Sequence, residues 1–124
     1  MLYSILIYGH ESQVDAWTPA EEADVLGRHA GLREQLGEQG RLGPVMRLVP
    51  RRGTVLQGRA GHETLLIDGP FAESKEQLMG LYTVDCETED EALACVRQLA
   101  FDGARFELRP LNWFDPGVVP ARTS

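Results

Sequence analysis

The sequence predicts an α+β fold in which an antiparallel sheet carries two helices on one face. Three observations point there. Thr18-Pro19-Ala20-Glu21 and Thr88-Glu89-Asp90-Glu91 have the spacing of helix capping boxes, in which threonine accepts the third backbone N–H beyond it. Each box follows a strand-like run and is followed, after a helix-length stretch, by another. Two short apolar runs flank a pair of glycines near the middle of the chain, as a hairpin requires.

Residues 2–8 place Tyr3, Ile5 and Ile7 on one face of a strand and Leu2, Leu6 and Tyr8 on the other, with Ser4 the small polar interruption. A strand apolar on both faces has to be covered on both. Two helices in one domain cover one face, so the other cover is expected from a second copy of the chain. Gly9-His10-Glu11-Ser12 breaks the strand. Thr18 then caps a helix expected to reach about Gly40, with Pro19 at the first helical position, where a missing N–H is harmless. Ala23, Leu26 and Ala30 form its expected apolar stripe, with Val25, Leu32 and Leu36 at the edges. Gly27, Gly31 and Gly37 weaken this helix or mark close approaches.

Leu42-Gly43-Pro44 opens a strand that runs through Val45, Met46, Leu48 and Val49 to Pro50. Residues 54–57 and 63–67 form a hairpin with Gly58 and Gly61 in its loop. Residues 81–86 are a strand with Tyr82, Val84 and Cys86 on one face. In the second helix Ala92, Leu93, Val96, Leu99 and Ala100 recur at helical spacing, and Asp102-Gly103 ends it. Residues 104–109 are the last strand, with Phe106 and Leu108 inward and Arg105, Glu107 and Arg109 outward. The order β-α-β-(hairpin)-β-α-β is the split βαβ, ferredoxin-like arrangement. Two such sheets packed face to face would form a dimeric α+β barrel. Residues 1–124 read as one domain, with residues 111–124 as a C-terminal tail whose Trp113 and Phe114 cover a partner or an edge.

With 124 residues, 43% of them hydrophobic and 25% charged, the chain can bury a core without disulfide or metal staples. Cys86 and Cys95 fall in strand and helix runs and read as free, buried thiols in a reducing compartment. The apolar start has no basic segment before it and is too short to span a bilayer, so no membrane is expected and the protein reads as cytoplasmic. A net charge of −7 opposes attraction to phosphate backbones, which argues against nucleic acid as a partner. Five of the 12 basic residues, Arg41, Arg47, Arg51, Arg52 and Arg59, lie in residues 39–62 with no acid among them. They are either a solvated hairpin that pairs with acids elsewhere or an anion-binding patch.

The densest chemistry lies in Asp68-Gly69-Pro70-Phe71-Ala72-Glu73-Ser74-Lys75-Glu76, which holds the chain's only lysine. An aspartate before Gly-Pro can bond the backbone N–H groups just ahead of it, which is turn chemistry. At a strand end beside a cleft, partial burial would instead raise its pKa and suit it to general acid–base work. Lys75, between Glu73 and Glu76, either holds a ligand carboxylate or forms exposed ion pairs. His29, one residue from the expected stripe, is either an acid–base partner for a carboxylate in a sheet-lined cavity or a bonded scaffold residue. His10 and His62 fall in loops and read as exposed. The chain has no His-x-His, Cys-x-x-Cys, Walker loop, Rossmann glycine fingerprint or Gly-x-Ser-x-Gly elbow, and neither a metal nor a cofactor is expected.

Residues 68–78, then Gly80-Leu81-Tyr82, the acidic cap at 88–91 with Ala92, and Phe106-Glu107-Leu108-Arg109-Pro110 resemble the DGPF branch of the YCII-related proteins. Ile7-Tyr8-Gly9 and Leu42-Gly43 extend the match over nearly the whole chain. The resemblance implies a dimeric α+β barrel in a bacterial protein often encoded beside, or fused to, an extracytoplasmic-type sigma factor. It implies a histidine–aspartate pair in the barrel cleft as the suspected active site. Some relatives eliminate chloride from aromatic-derived substrates, and the superfamily also holds isomerases and monooxygenases. Asp68 matches the family aspartate, and His29 lies in the helix that bears the family histidine. Met79-Gly80-Leu81-Tyr82 stands where the family tends to show a glycine pair and two tyrosines, which enlarges one wall and removes a hydroxyl.

Two functional classes follow. In one, a small lyase or isomerase acts on a compact aromatic or lactone-like metabolite. Asp68 is then the acid–base residue and His29 its partner, with Phe71, Glu73, Lys75 and Tyr82 contacting the substrate. In the other, a homodimer binds a small ligand without turnover and serves as a regulatory module for a sigma factor.

Overall fold

The computed structural model describes residues 1–67 and 76–123. The elements run β1 (Leu2–Gly9), α1 (Glu11–Asp15), α2 (Pro19–Glu38), β2 (Leu42–Arg47), β3 (Val55–Gln57), β4 (Leu65–Ile67), β5 (Gln77–Asp85), α3 (Glu89–Leu99) and β6 (Arg105–Pro110). Four strands form one antiparallel sheet in the order β2-β5-β1-β6, and β3 pairs with β4 in a separate hairpin. The two central strands are thus the first and the fifth, which is the ferredoxin-like order expected.

Both long helices begin at their expected caps. Thr18 Oγ1 accepts the Glu21 backbone N–H at 3.2 Å and Glu21 returns the bond to the Thr18 N–H at 3.1 Å, closing the box. Thr88 accepts the Glu91 N–H at 3.2 Å, but the Glu91 carboxylate turns instead to the Glu87 N–H at 2.9 Å and to Arg41 at 3.4 Å. Arg41 also donates from Nε to the Asp85 carbonyl at 2.8 Å. That guanidinium therefore ties the end of β5 to the start of α3.

Strand β1 alternates in burial along its whole length. Tyr3, Ile5 and Ile7 are buried under the helices with Tyr82, Val84 and Cys86 of the β5 side, and Leu32 and Leu36 of α2 and Ala92, Cys95 and Leu99 of α3 complete the core. Both cysteines are free and buried, as expected of small hydrophobes. Residues facing one another across the sheet fall into rows. Val45, Tyr82, Ile5 and Leu108 line up on the helix-covered side, while Met46, Leu81, Leu6 and Glu107 line up on the other.

Four details differ from the sequence reading. The buried stripe of α2 is Val25, Leu32 and Leu36 with half-buried His29, whereas Ala23, Leu26 and Ala30 are exposed. Both stripes are apolar, but three large side chains remove more surface from water than two alanines and a leucine, so the helix rolls toward them. The break after β1 winds into the short helix α1 and makes His10 half-buried. Strand β2 ends at Arg47: the Leu48 N–H still donates to the Met79 carbonyl of β5 at 3.0 Å, but the side chains of Leu48 and Val49 lie exposed. Strand β5 begins at Gln77 rather than Leu81, its extra turns of pleat paired with Tyr8 and Gly9 around an irregularity beside Met79.

The tail follows β6 along β1, with the Leu111 N–H donating to the Leu2 carbonyl at 2.8 Å, and Trp113 lies exposed beyond it. No described helix is long and apolar enough to cross a membrane.

Candidate functional site

The stripe that α2 turns toward the sheet contains one polar residue, His29, and the row it meets contains one hydroxyl, Tyr82. His29 Nδ1 lies 2.7 Å from Tyr82 Oη, and the two rings sit 5.6 Å apart at 33°. Arg33, one turn further along α2, donates from its guanidinium to the same hydroxyl at 3.3 Å. Tyr82 is only 2% exposed, so its oxygen has to be satisfied inside the protein. A hydroxyl that accepts from Arg33 and donates to Nδ1 satisfies every partner, and this puts the imidazole hydrogen on Nε2.

Charge around the pair has one sign. Burial lowers the His29 pKa below its ordinary value of 6.5, and the guanidinium groups of Arg33, Arg28 and Arg47 lower it further in that order. Burial raises the Tyr82 pKa above 10.0, partly opposed by the bond from Arg33 and its charge. At neutral pH the pair is therefore an uncharged imidazole against an uncharged phenol, ringed by permanent cations. Arg28 is held by Asp24 at 3.2 Å and by the Ala100 carbonyl. Arg47 pairs in register with Gly80 and makes no ion pair among the described residues.

Two of the residues singled out from sequence, His29 and Tyr82, are thus brought into direct contact. Tyr82, expected to contact a substrate, is the hydrogen-bond partner of the histidine. Asp68, Phe71, Glu73 and Lys75 lie outside the described residues. Glu76, at the described end of that stretch, accepts from Arg105 Nε and a terminal nitrogen at 3.0 and 2.7 Å, which commits it to an ion pair.

The arginine-rich segment divides: Arg41 pairs with Glu91, and Arg51 with Asp15 and Glu11, as the solvated reading expects. Arg47 and Arg52 have no acid partner among the described residues, as the anion-binding reading expects. Arg33 escaped the sequence reading, although its spacing of four from His29 on one helix was the available signal.

A four-stranded antiparallel sheet with helices on one face, and a histidine–tyrosine contact under the first long helix with guanidinium groups around it, define an α+β protein. Residues 1–111 match the YCII-related domain, and the chain belongs to that family. An uncharacterised protein of Rhizobium meliloti (strain 1021) is 40% identical over 124 aligned residues, covering 98% of this chain and 100% of the relative.

Proposed function

We propose that this chain catalyses proton transfer at a carbon beside a carbonyl group in a small acid or lactone, the step that eliminations and isomerisations share. The observation that carries the reading is the uncharged imidazole of His29, held 2.7 Å from a buried phenol among three guanidinium groups. Asp68, matched to the family aspartate, takes the proton from carbon; the C–H electron pair becomes a C=C bond and the carbonyl π pair moves onto oxygen. The growing enolate accepts a hydrogen bond from His29 Nε2–H, and the positive field of Arg33 and Arg47 lowers its energy. An uncharged imidazole suits that task because it holds the oxyanion without surrendering its proton. Loss of a leaving group or reprotonation at another carbon then completes the reaction.

The test is deuterium incorporation from D2O, followed by proton NMR, into a panel of small keto acids, butenolides and chlorinated lactones. Exchange that Asp68→Asn abolishes and His29→Ala reduces by about 10²-fold or more is expected. Exchange indifferent to both substitutions, or none across the panel, removes the catalytic reading.

The open sheet face supports a homodimer within the same proposal. Leu6, Leu81, Met46 and Leu78 lie on it together, with Met46 47% and Leu78 36% exposed. An apolar sheet face of this kind is covered in a stable protein, and a second identical sheet is complementary to it by symmetry.

A further inference from the structure

A cavity of about 370 Å³ opens at the end of the sheet where β1 turns into α1. Glu11 and Val14 of α1, Arg47 and Leu48 at the end of β2, Arg52, and Met79 of β5 line it. Its volume falls near the lower bound of the roughly 300–1,000 Å³ typical of small-molecule sites.

Glu11 is the one acidic side chain buried among the described residues, at 7% exposure. Its Oε1 accepts the Arg51 backbone N–H at 3.0 Å. Its Oε2 accepts no hydrogen bond among the described residues, with Arg51 Nε at 3.9 Å. A carboxylate oxygen withdrawn from water without a donor is expensive to keep. This one lines a cavity, so a molecule in the cavity can supply the donor.

The cations of the cavity are not used up by its acids. Glu11 and Asp15 both lie against Arg51, and Glu76 is bound to Arg105, which leaves Arg47 and Arg52 with no acid partner among the described residues. Two guanidinium groups at the rim call for an anion, and a carboxylate matches their planar fork. Between the cations and Glu11 the walls are Val14, Leu48 and Met79, which calls for a short apolar body.

We propose that this cavity binds a small hydroxy acid, its carboxylate on Arg47 and Arg52, its hydroxyl donating to Glu11 Oε2 and its apolar body against Val14, Leu48 and Met79. A hydroxy acid fits better than an amino acid because the two arginines with no acid partner among the described residues outweigh the one carboxylate oxygen left over, so a ligand of net negative charge is favoured over a zwitterion. The site concerns binding and stands apart from the proton-transfer reading. The two meet at Arg47, whose charge also acts on His29.

The test is a chemical-shift titration of the full chain with 2-hydroxy-4-methylpentanoate, with 4-methylpentanoate, which lacks the donor, and with leucine, which replaces the hydroxyl by an ammonium. The hydroxy acid should perturb the amides around Glu11 and bind about tenfold or more tighter than either control, a difference worth about 1.4 kcal/mol or more. Glu11→Gln keeps an oxygen for the Arg51 N–H and should erase the preference for the hydroxyl while the fold is retained. Arg52→Gln, at an exposed rim position, should weaken both acids, and His29→Gln should weaken neither. Equal binding of hydroxy acid and control, tighter binding of leucine, or no shifts around Glu11 with any of the three overturns the proposal.

Discussion

Glu11 accepts the backbone N–H of Arg51 at 3.0 Å across 40 residues of chain, and Arg51 is the one non-glycine residue with positive φ among the described residues, at 56°. A side chain in that left-handed region costs on the order of 1–2 kcal/mol, so the contact holds a strained residue in place. Replacing Glu11 with alanine removes the acceptor and should lower the urea unfolding free energy by about 1–3 kcal/mol. Arg51→Gly keeps the N–H and relieves the strain while giving up an ion pair with exposed Asp15 and the 3.9 Å contact with buried Glu11, so gain and loss oppose and it should stay within about 1–2 kcal/mol of the parent. A larger loss in the glycine variant would show that the side chain, not the backbone bond, anchors the loop.

Stability should fall on acidification through His29. Its folded pKa lies below the ordinary 6.5, so in that window the unfolded chain binds the proton and the folded chain does not. Folding is therefore favoured fully above about pH 6.5 and progressively less as pH drops toward the folded value. Urea midpoints from about pH 8 to pH 5 should show this loss in the parent, and the difference from His29→Gln should shrink or reverse at the acidic end. Arg33→Met should raise the His29 pKa, read by NMR of the ring nitrogens, yet leave it below 6.5 because burial is the larger cause.

Tyr82→Phe keeps the ring in the core and deletes the oxygen that serves both His29 and Arg33. Two donors or acceptors then lose their partner inside the protein, and the expected cost is about 1–3 kcal/mol in the urea midpoint. A neutral result would mean that water replaces the hydroxyl.

Gly80→Ala and Gly37→Ala should have opposite signs. A Cβ on Gly80 would stand 2.6 Å from the Met46 carbonyl oxygen, which belongs to the neighbouring strand and has no rotamer to change. The expected loss is about 1–3 kcal/mol, through separation of β2 from β5. A Cβ on Gly37 of α2 meets nothing within 4 Å, and alanine there should stabilise by about 0.5–1 kcal/mol. Thermal melts of the two variants decide both.

Leu81→Arg places a charge in the middle of the open row of Met46, Leu81 and Leu6. Light scattering after gel filtration should show a dimer for the parent and a monomer for the variant. A parent that is monomeric at high concentration would refute the face-to-face assembly.

Much of this was legible in the chain because it rests on local rules. Thr18 and Thr88 announced their helices through spacing alone, and the alternation of Tyr3, Ile5 and Ile7 with Leu2, Leu6 and Tyr8 described a strand with two apolar faces. What failed depends on distant partners. Periodicity permitted either stripe of α2, and only the sheet beneath selected the one bearing His29. Glu11 lay in what looked like a plain break, since its burial comes from Arg51 and the end of β2 rather than from its neighbours. The nearness of His29 to Tyr82 joins residues 53 apart, and no spacing rule could supply it.

The strand order leaves β2 and β6 at the sheet margins. Pro44 interrupts β2 where its pairing with β5 is irregular, and β6 carries Arg105, Glu107 and Arg109 and ends at Pro110. Proline offers no N–H to an arriving strand, and alternating charge repels a flat hydrophobic one. The margins of this sheet are thus poor templates for amyloid-like growth, and a chain crowded against its own copies is steered away from open-ended, margin-to-margin polymerisation.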